Sequence, residues 1–512
     1  MPAVSTSAIP ASTLRGLRWS LIATGLIAVL QFVYSGIMSR LLTPADFGLM
    51  GMAMVVISFG GYFAHMGLEQ ALIQRATLEP VHIRATSTVA IGLGILVTSL
   101  MWGLAPLATL LFKEPGVVSV LRGMSLTFVV NSLGATSQSL LRRRMAFDLL
   151  ARIELGAFLV GYGVVGLGMA WAGWGIWSLV GATLCNLLVK AVAAWLCVRH
   201  SLRPPLCWAH YQPLVNFGGA VSVVSSLEYV GANLDRLSIG RLLGTYTLGL
   251  YNRTFFLVQL PLYQFTDSIS RVMLPSYSSL QHDLPRLRPL YLTSLSLSAW
   301  VMLPMAAGMA TAADPLVRVV LGPQWGAAVP LLGPLALMVG AHLLTIYSGS
   351  LCESLGKLQF KVWLQLGFIA VLGAGLLLTA PYGLRAMALT VLLAELLRHG
   401  AYQFAIHRYL HVPATDLWGA YWPALCTALV LALVLGTAQT GLARLHVAAL
   451  PQLLLLMALG VAALLGQLAM PWNRTVRLSL YHEVDAHLGS GQLRDWLLAL
   501  LNPSAAVLGS KQ

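Results

Sequence analysis

The chain has 512 residues, 58% of them hydrophobic and 9% charged, with a mean hydropathy of +0.78. So few charges cannot clothe a soluble core, and apolar runs of about 20 residues recur along the whole length, as bilayer-spanning helices require. A transmembrane β-barrel is excluded because its strands alternate over short segments, and the net charge of +14 reads as membrane orientation and lipid contact, not nucleic-acid binding.

In chain order, spans are expected near Leu17–Ser39, Phe47–Leu68, Thr86–Leu111, Val117–Leu140, Ile153–Ala172, Trp174–Val198, Pro213–Gly240, Gly249–Leu274, Leu290–Ala312, Val329–Leu351, Phe360–Ala380, Ala386–Ile406, Trp418–Ala438 and Ala448–Met470. The first stretch is expected to stay as a helix, since it follows Arg15 and Arg18 and is long enough to span. Of the 31 Lys and Arg, twenty fall in the N-terminal stretch, alternate loops and the tail, against seven in the opposite set. This bias places both termini in the cytoplasm. After Met470 the chain is too polar to span, and Val484, Leu488, Leu493, Trp496, Leu497, Leu500 and Leu501 predict an amphipathic helix on the inner leaflet.

The expected fold is an all-α polytopic membrane protein of about 14 transmembrane helices, with two pseudo-symmetric six-helix lobes plus two C-terminal helices. Residues 1–16 form an N-terminal tail, 17–210 the first lobe, 211–410 the second, 411–470 the last two spans, and 471–512 the tail. The lobes are read from a repeat. RLLTPADFGL (Arg40 to Leu49) matches RLLGTYTLGL (Arg241 to Leu250) in register, each between an odd-numbered and an even-numbered span. A weaker echo pairs APLATLLF (Ala105 to Phe112) with DPLVRVVL (Asp314 to Leu321). Six spans separate the copies, an even number, so the halves run in parallel sense.

Charges cluster in the seventh and eighth spans. Ser225, Glu228, Ala232 and Asp235 share one helical stripe, and Arg253, Gln264, Asp267 and Arg271 share another. Charges facing lipid cost several kcal/mol each, so these stripes are expected to face protein or a water-filled cavity. Either arginine of the second stripe, taken alone, is within snorkelling reach of a head-group layer. Arg236 and Arg241 stand at the loop between the two spans. The first half carries a thinner stripe: Ser58, Tyr62, His65 and Glu69 in the second span, with Asn131, Gln138 and Arg142 aligned in the fourth. His65 and Glu69 are candidates for proton coupling, because imidazole titrates near neutrality, and a packing role for a lone His stays open.

No P-loop, G-x-S-x-G or H-E-x-x-H motif occurs, so no ATP site, cofactor or metal site is expected. The five cysteines read as small apolar residues, without a C-x-x-C pair. Glu395, Arg398, His399 and Tyr402 form the most enzyme-like cluster, expected as an ion-paired terminus at the cytoplasmic end of the twelfth span.

The stretch from Arg40 to Arg75 resembles the second-span signature of bacterial polysaccharide flippases, the Wzx-type, colanic-acid-exporter-like members of the multidrug/oligosaccharidyl-lipid/polysaccharide superfamily, which is MATE-like. NLDRLSIGRLLGTYTLGLYNRTFFLVQLP and ISRVMLPSYSSLQ resemble the seventh and eighth spans of the same family. The resemblance implies alternating access in the bacterial inner membrane. It also implies a substrate of undecaprenyl-diphosphate-linked oligosaccharide moved from inner to outer leaflet, and partners among polysaccharide polymerases and glycosyltransferases. It implies a transporter, not an enzyme. The candidate cavity residues Arg253, Arg271, Asp267, Gln264, Glu228, Asp235, Arg236 and Arg241 rest on the stripes alone. Two other readings remain open. A cation-coupled drug antiporter of the same superfamily is disfavoured because Arg outnumbers Asp and Glu in the central spans. A membrane-embedded polymerase or ligase is disfavoured because the expected periplasmic loops are short.

Overall fold

The computed structural model describes residues 11–65, 72, 78–201, 212–474, 476–478 and 480–481, with side-chain detail except at 11–23, 62–65, 212–228, 263–272 and 274. The described residues are almost entirely helical. In chain order they form α1 (Ala11–Leu41), α2 (Pro44–His65), α3 (Pro80–Leu104), the short α4 (Leu107–Phe112), α5 (Gly116–Arg143), α6 (Phe147–Phe158) and α7 (Trp177–Val198). The remainder are α8 (Gln212–Ser279), α9 (Leu284–Thr311), the short α10 (Ala313–Val320), α11 (Val329–Ser354), α12 (Leu358–Thr379), α13 (Leu384–Leu410), α14 (Ala414–Arg444) and α15 (Ala449–Leu468). Each expected span overlies one of these helices. Helix α1 begins at Ala11, inside the stretch expected as a tail.

By length and composition, eleven helices among the described residues are apolar enough to cross a membrane. The other three expected spans are α13 and the two limbs of α8. These are the segments that hold the charged stripes of α8 and the Glu395–Arg398 cluster of α13. The hydropathy shortfall and the candidate chemistry therefore have one cause.

The chain divides into two compact units, Met1–Asn252 and Arg253–Gln512. In the first, α5 packs against α3 and α7, and α1 against α6. Helix α6 runs on through a π-helical stretch, Leu159–Gly166, before a last α-turn. A Cβ at Gly161 would lie 2.6 Å from the Asn186 backbone nitrogen, so the π stretch brings glycine directly onto α7. In the second unit, α9 packs against α14 and α11, and α11 against α13. Tyr277, Tyr291, Leu295, Tyr347 and Ile406 are fully buried within its core.

The segment expected as the start of the C-terminal tail is docked at its beginning. Asn473 is fully buried, and its Nδ2 donates to Thr427 Oγ1 at 3.0 Å and to the Gln467 carbonyl at 2.8 Å. Arg477 Nη1 donates to the Leu468 and Ala469 carbonyls at the end of α15, where a helix leaves carbonyls over. The amphipathic stretch from Val484 lies outside the described residues.

The repeat is visible in how the corners are built. The first corner, at Thr43, caps α2: the Asp46 carboxylate accepts from the Thr43 backbone N–H at 2.9 Å and from its hydroxyl at 2.7 Å. The equivalent position 201 residues on is Gly244, where α8 turns with φ +84° and ψ −175°. Only glycine adopts that region readily. Position Asp46 corresponds to Thr247, whose hydroxyl donates to the Gly244 carbonyl at 3.0 Å. The weaker echo falls on α4 and α10, each a short helix following a long one.

The two copies also meet. A Cβ at Gly48 would overlap the Thr245 carbonyl, and a Cβ at Gly249 would overlap the Pro44 carbonyl. The 201-residue offset relates Pro44 to Thr245 and Gly48 to Gly249, so these two contacts are images of each other. A Cβ at Gly51 would overlap the amide of Asn252, its equivalent by the same offset, so that contact is its own image. A two-fold-like seam between α2 and the start of the second limb of α8 therefore brings backbone against backbone. Small residues permit such approach between membrane helices.

Gly48→Ala and Gly249→Ala are each expected to destabilise the protein by about 1–3 kcal/mol through overpacking. Because both open one seam, the double variant should cost less than the sum. Denaturant unfolding in detergent micelles reads the outcome, and strict additivity would show that the contacts are independent. Gly244→Ala should cost about 1–3 kcal/mol by backbone strain alone.

Candidate functional site

Two polar clusters interrupt the apolar helices. The first lies at the α8 corner, in the stretch Asn233 to Gly244. Asp235 is 7% exposed. Its Oδ2 accepts from the fully buried Tyr251 hydroxyl at 2.5 Å, and its Oδ1 accepts from the Arg236 backbone N–H at 2.8 Å. The carboxylate thus bolts the first limb of α8 to the second, across Gly244. Arg236 Nη1 donates to Asn233 Oδ1 at 2.6 Å, and Asn233 Nδ2 donates to the Tyr229 carbonyl at 3.0 Å. Arg241 Nη1 donates to the Leu110 carbonyl of α4, and the Tyr229 hydroxyl donates to the Val55 carbonyl of α2 at 3.0 Å. These charges hold the corner against its neighbours.

The second cluster lies in the other unit. Glu395, Arg398, His399 and Gln403 repeat at helical spacing along one face of α13. His342, Thr345 and Ser348 repeat along the facing side of α11. Glu395 is 2% exposed. Arg398 Nη2 lies 2.6 Å from Glu395 Oε2 and donates to His342 Nδ1 at 2.7 Å. The guanidinium stacks 4.2 Å over the Phe368 ring of α12. Thr345 Oγ1 donates to Glu395 Oε1 at 3.0 Å and lies 3.1 Å from His399 Nδ1. His399 Nε2 lies 2.7 Å from the Tyr421 hydroxyl of α14. Gln403 joins Ser348 at 3.0 Å and Tyr291 of α9 at 3.2 Å.

One donor order satisfies this chain throughout. Tyr421 donates to His399 Nε2, His399 Nδ1–H to the Thr345 oxygen, Thr345 to Glu395 Oε1, and Arg398 to Glu395 Oε2. The network spans four helices with its charges cancelled, which is the condition for keeping ions in a low-dielectric interior. Its His399, Gln403 and Tyr421 edge opens on a cavity of about 620 Å³ whose other walls include Leu303, Leu344, Phe404 and Trp418.

This corrects one expectation. The cluster does not sit at a helix end, because α13 continues to Leu410 and Glu395 lies eleven residues in from Leu384, about 16 Å along the axis at 1.5 Å per residue. His342, Thr345, Ser348, Tyr291, Gln403 and Tyr421 join the cluster through packing and were not among its expected members. The signal was there in part: three polar residues at spacings of three on the tenth span, facing a charged twelfth span.

The remaining candidates are placed as follows. Arg253 is half-buried, with its guanidinium 5.6 Å from the Phe256 ring centre. The side chains of Glu228, Gln264, Asp267, Arg271 and His65, and the whole of Glu69, lie outside the described residues. Gln138 and Arg142 of the thinner stripe line a cavity of about 220 Å³ in the first unit, together with Thr24, Glu154 and Lys190. Lys190, not among the expected site residues, lies inside the sixth expected span, where a lysine is a signal by itself.

Fold and clusters together define a polytopic helical membrane protein with a repeated corner and charge-cancelled interior ions. Solved structures with this fold include the lipid II flippase MurJ in an inward closed conformation, at TM-score 0.69 and 12% identity, covering 89% of this chain and 99% of that one. A multidrug-resistance MATE-family transporter of the MOP superfamily, inward-facing, matches at TM-score 0.60 and 13% identity, covering 75% and 94%. A family model described as polysaccharide biosynthesis protein matches residues 37–330, and the chain belongs to that family. Its relatives include the lipopolysaccharide biosynthesis protein WzxC of Escherichia coli K12, 26% identical over 62% of this chain and 65% of that protein. The teichuronic acid biosynthesis protein TuaB of Bacillus subtilis 168 is 23% identical over 72% and 76%. The succinoglycan biosynthesis transport protein ExoT of Rhizobium meliloti 1021 is 28% identical over 64% and 66%. The matches thus span about two thirds to three quarters of these relatives' lengths.

Removing one member of the buried pair strands the other. Arg398→Met is expected to destabilise the protein by about 3–5 kcal/mol, and Glu395→Leu with Arg398→Met by much less. Unfolding in detergent measures both. A double variant as unstable as the single would mean that the pair is not the source of the cost.

Proposed function

We propose that the protein is a flippase that moves an undecaprenyl-diphosphate-linked oligosaccharide from the inner to the outer leaflet of the bacterial inner membrane, by alternating access, for surface or exported polysaccharide. The observation that carries this reading is the family match over residues 37–330, which includes both limbs of the charged α8. Support comes from relatives named for making three different polysaccharides, one of them a transport protein. The fold shared with a lipid II flippase is compatible with it.

The physical task fits the residues. A diphosphate and a glycan cannot cross bare hydrocarbon unaided. Arginine holds phosphate oxygens through a planar fork of donors. In this reading Arg253 and Arg271 face the central cleft, and at least one holds the diphosphate. Glu228, Gln264, Asp267, Asp235, Arg236 and Arg241 belong to its lining or its gate, and His65 and Glu69 are the coupling candidates. The lobes 17–210 and 211–410 rock against each other, 411–470 adds two spans, and both termini are cytoplasmic. A polymerase and glycosyltransferases act beside it, consuming and supplying the lipid-linked glycan.

Deleting the gene should abolish surface polymer and accumulate a lipid-linked glycan in the inner leaflet. Loss of polymer without that intermediate would refute a flippase. Arg253→Ala and Arg271→Ala should cut polymer strongly at equal protein levels, while Lys at either position keeps part of it. Wild-type polymer in both alanine variants would remove these arginines from the mechanism.

A further inference from the structure

We infer that the cavity of about 220 Å³ in the first unit is a binding site for a phosphate-bearing head group, separate from the Arg253–Arg271 stripe. This deepens the flippase reading and rests on it for the choice of substrate. Four helices build the cavity: α1 supplies Thr24, α5 supplies Gln138 and Arg142, α6 supplies Phe147, Leu150, Ala151, Ile153 and Glu154, and α7 supplies Lys190.

The polar lining is rich in donors. Residues bearing a guanidinium, an ammonium, a side-chain amide and a hydroxyl line one space, and the single carboxylate in that lining is Glu154. Such a set suits an oxyanion, whose oxygens accept from several donors at once. The α6 N-terminus also borders the space. Ala146 gives that end no side-chain cap, so its backbone N–H groups and dipole add positive potential. Asp148 of the same turn is engaged elsewhere, 3.9 Å from the exposed Arg152. Arg143, next to Arg142, donates to the Leu72 carbonyl at 2.9 Å.

Glu154 is the internal counter-ion of this cavity. Its Oε1 lies 3.1 Å from Lys190 Nζ. The Lys190 side chain is 24% exposed and the Glu154 side chain 55%, so the lysine is fixed in the wall while the carboxylate reaches in from the solvated rim. An arriving phosphate competes with that carboxylate for the ammonium. Size sets the ligand class. The cavity is below the roughly 300 Å³ at which pockets for drug-sized molecules begin. It admits a diphosphate or a single sugar, and a whole oligosaccharide must lie outside it.

The shared chemistry is a phosphate anion, either of a lipid head or free in solution. Full-length protein in detergent is titrated calorimetrically with inorganic pyrophosphate and, separately, with farnesyl diphosphate. Wild type should bind both, the lipid more tightly. Arg142→Gln and Lys190→Gln should each weaken binding at least tenfold, whereas Lys190→Arg should keep most of it. Glu154→Gln should tighten pyrophosphate binding several-fold, because the competitor for Lys190 is gone. A purely structural ion pair would give the opposite pattern: lower melting temperatures for Glu154→Gln and Lys190→Gln with unchanged affinity, which overturns the site. Binding of pyrophosphate without farnesyl diphosphate would sever its link to the lipid substrate. Failure here is distinct from failure of the flippase reading, because polymer export with no phosphate binding at this cavity sinks the site alone. Conversely, phosphate binding in the purified protein stands whatever the cells accumulate.

Discussion

The Glu395–Arg398 pair is buried in the middle of α13, among helices apolar enough to cross a membrane. A lone charge there is expensive, and much of the second unit is arranged so that neither is alone. His342 and Thr345 come from α11, Phe368 from α12, and Tyr421, through His399, from α14. The buried core of tyrosines and aliphatic side chains continues from α11, α13 and α14 onto α9. The network therefore fixes the mutual register of these helices as well as cancelling charge. Sliding α13 by one turn past α11 would leave Glu395 without its hydroxyl and Arg398 without its imidazole.

The corner at Gly244 solves a related problem with different means. Here two limbs of one long helix reverse, and the carboxylate of Asp235 joins them through Tyr251. Glycine is needed twice for separate reasons. At 244 it supplies a backbone conformation closed to other residues, while at 48 and 249 it supplies the absence of a side chain where two backbones touch. At Thr43, 201 residues earlier, a capping threonine and an aspartate stand instead. The two aligned positions thus turn the chain by different means, one by capping and one by conformational freedom.

The polar regions differ in accessibility, and this separates holding from binding. The α13 network is closed on itself, with every described member engaged and only one edge bordering a cavity. The α5–α6–α7 cavity has donors around an open space, and its carboxylate stands at the rim. A closed, charge-cancelled network stiffens its unit. A donor-lined opening can exchange its internal counter-ion for a ligand.

The membrane class, the positions of the spans and the repeat were legible in the sequence, because each depends on local pattern. Twenty apolar residues must be a helix in lipid, and a ten-residue match kept its register. The charged stripes of α8 could be seen too, since helical spacing decides which residues share a face. What no stripe could show is which face meets which. Helical spacing puts Asp235 on a stripe with Ser225 and Glu228, and only packing brings the Tyr251 hydroxyl, sixteen residues away, onto it. The charged cluster stands near the middle of the expected span Ala386–Ile406 and of the helix Leu384–Leu410 alike, so its meaning turns on which residues face it from α11 and α14, and no single-helix pattern names those. Lys190 and Glu154, thirty-six residues apart on different helices, had no shared pattern to betray them. Periodicity is a property of one helix, and a site assembled from four helices exists only once their packing is known.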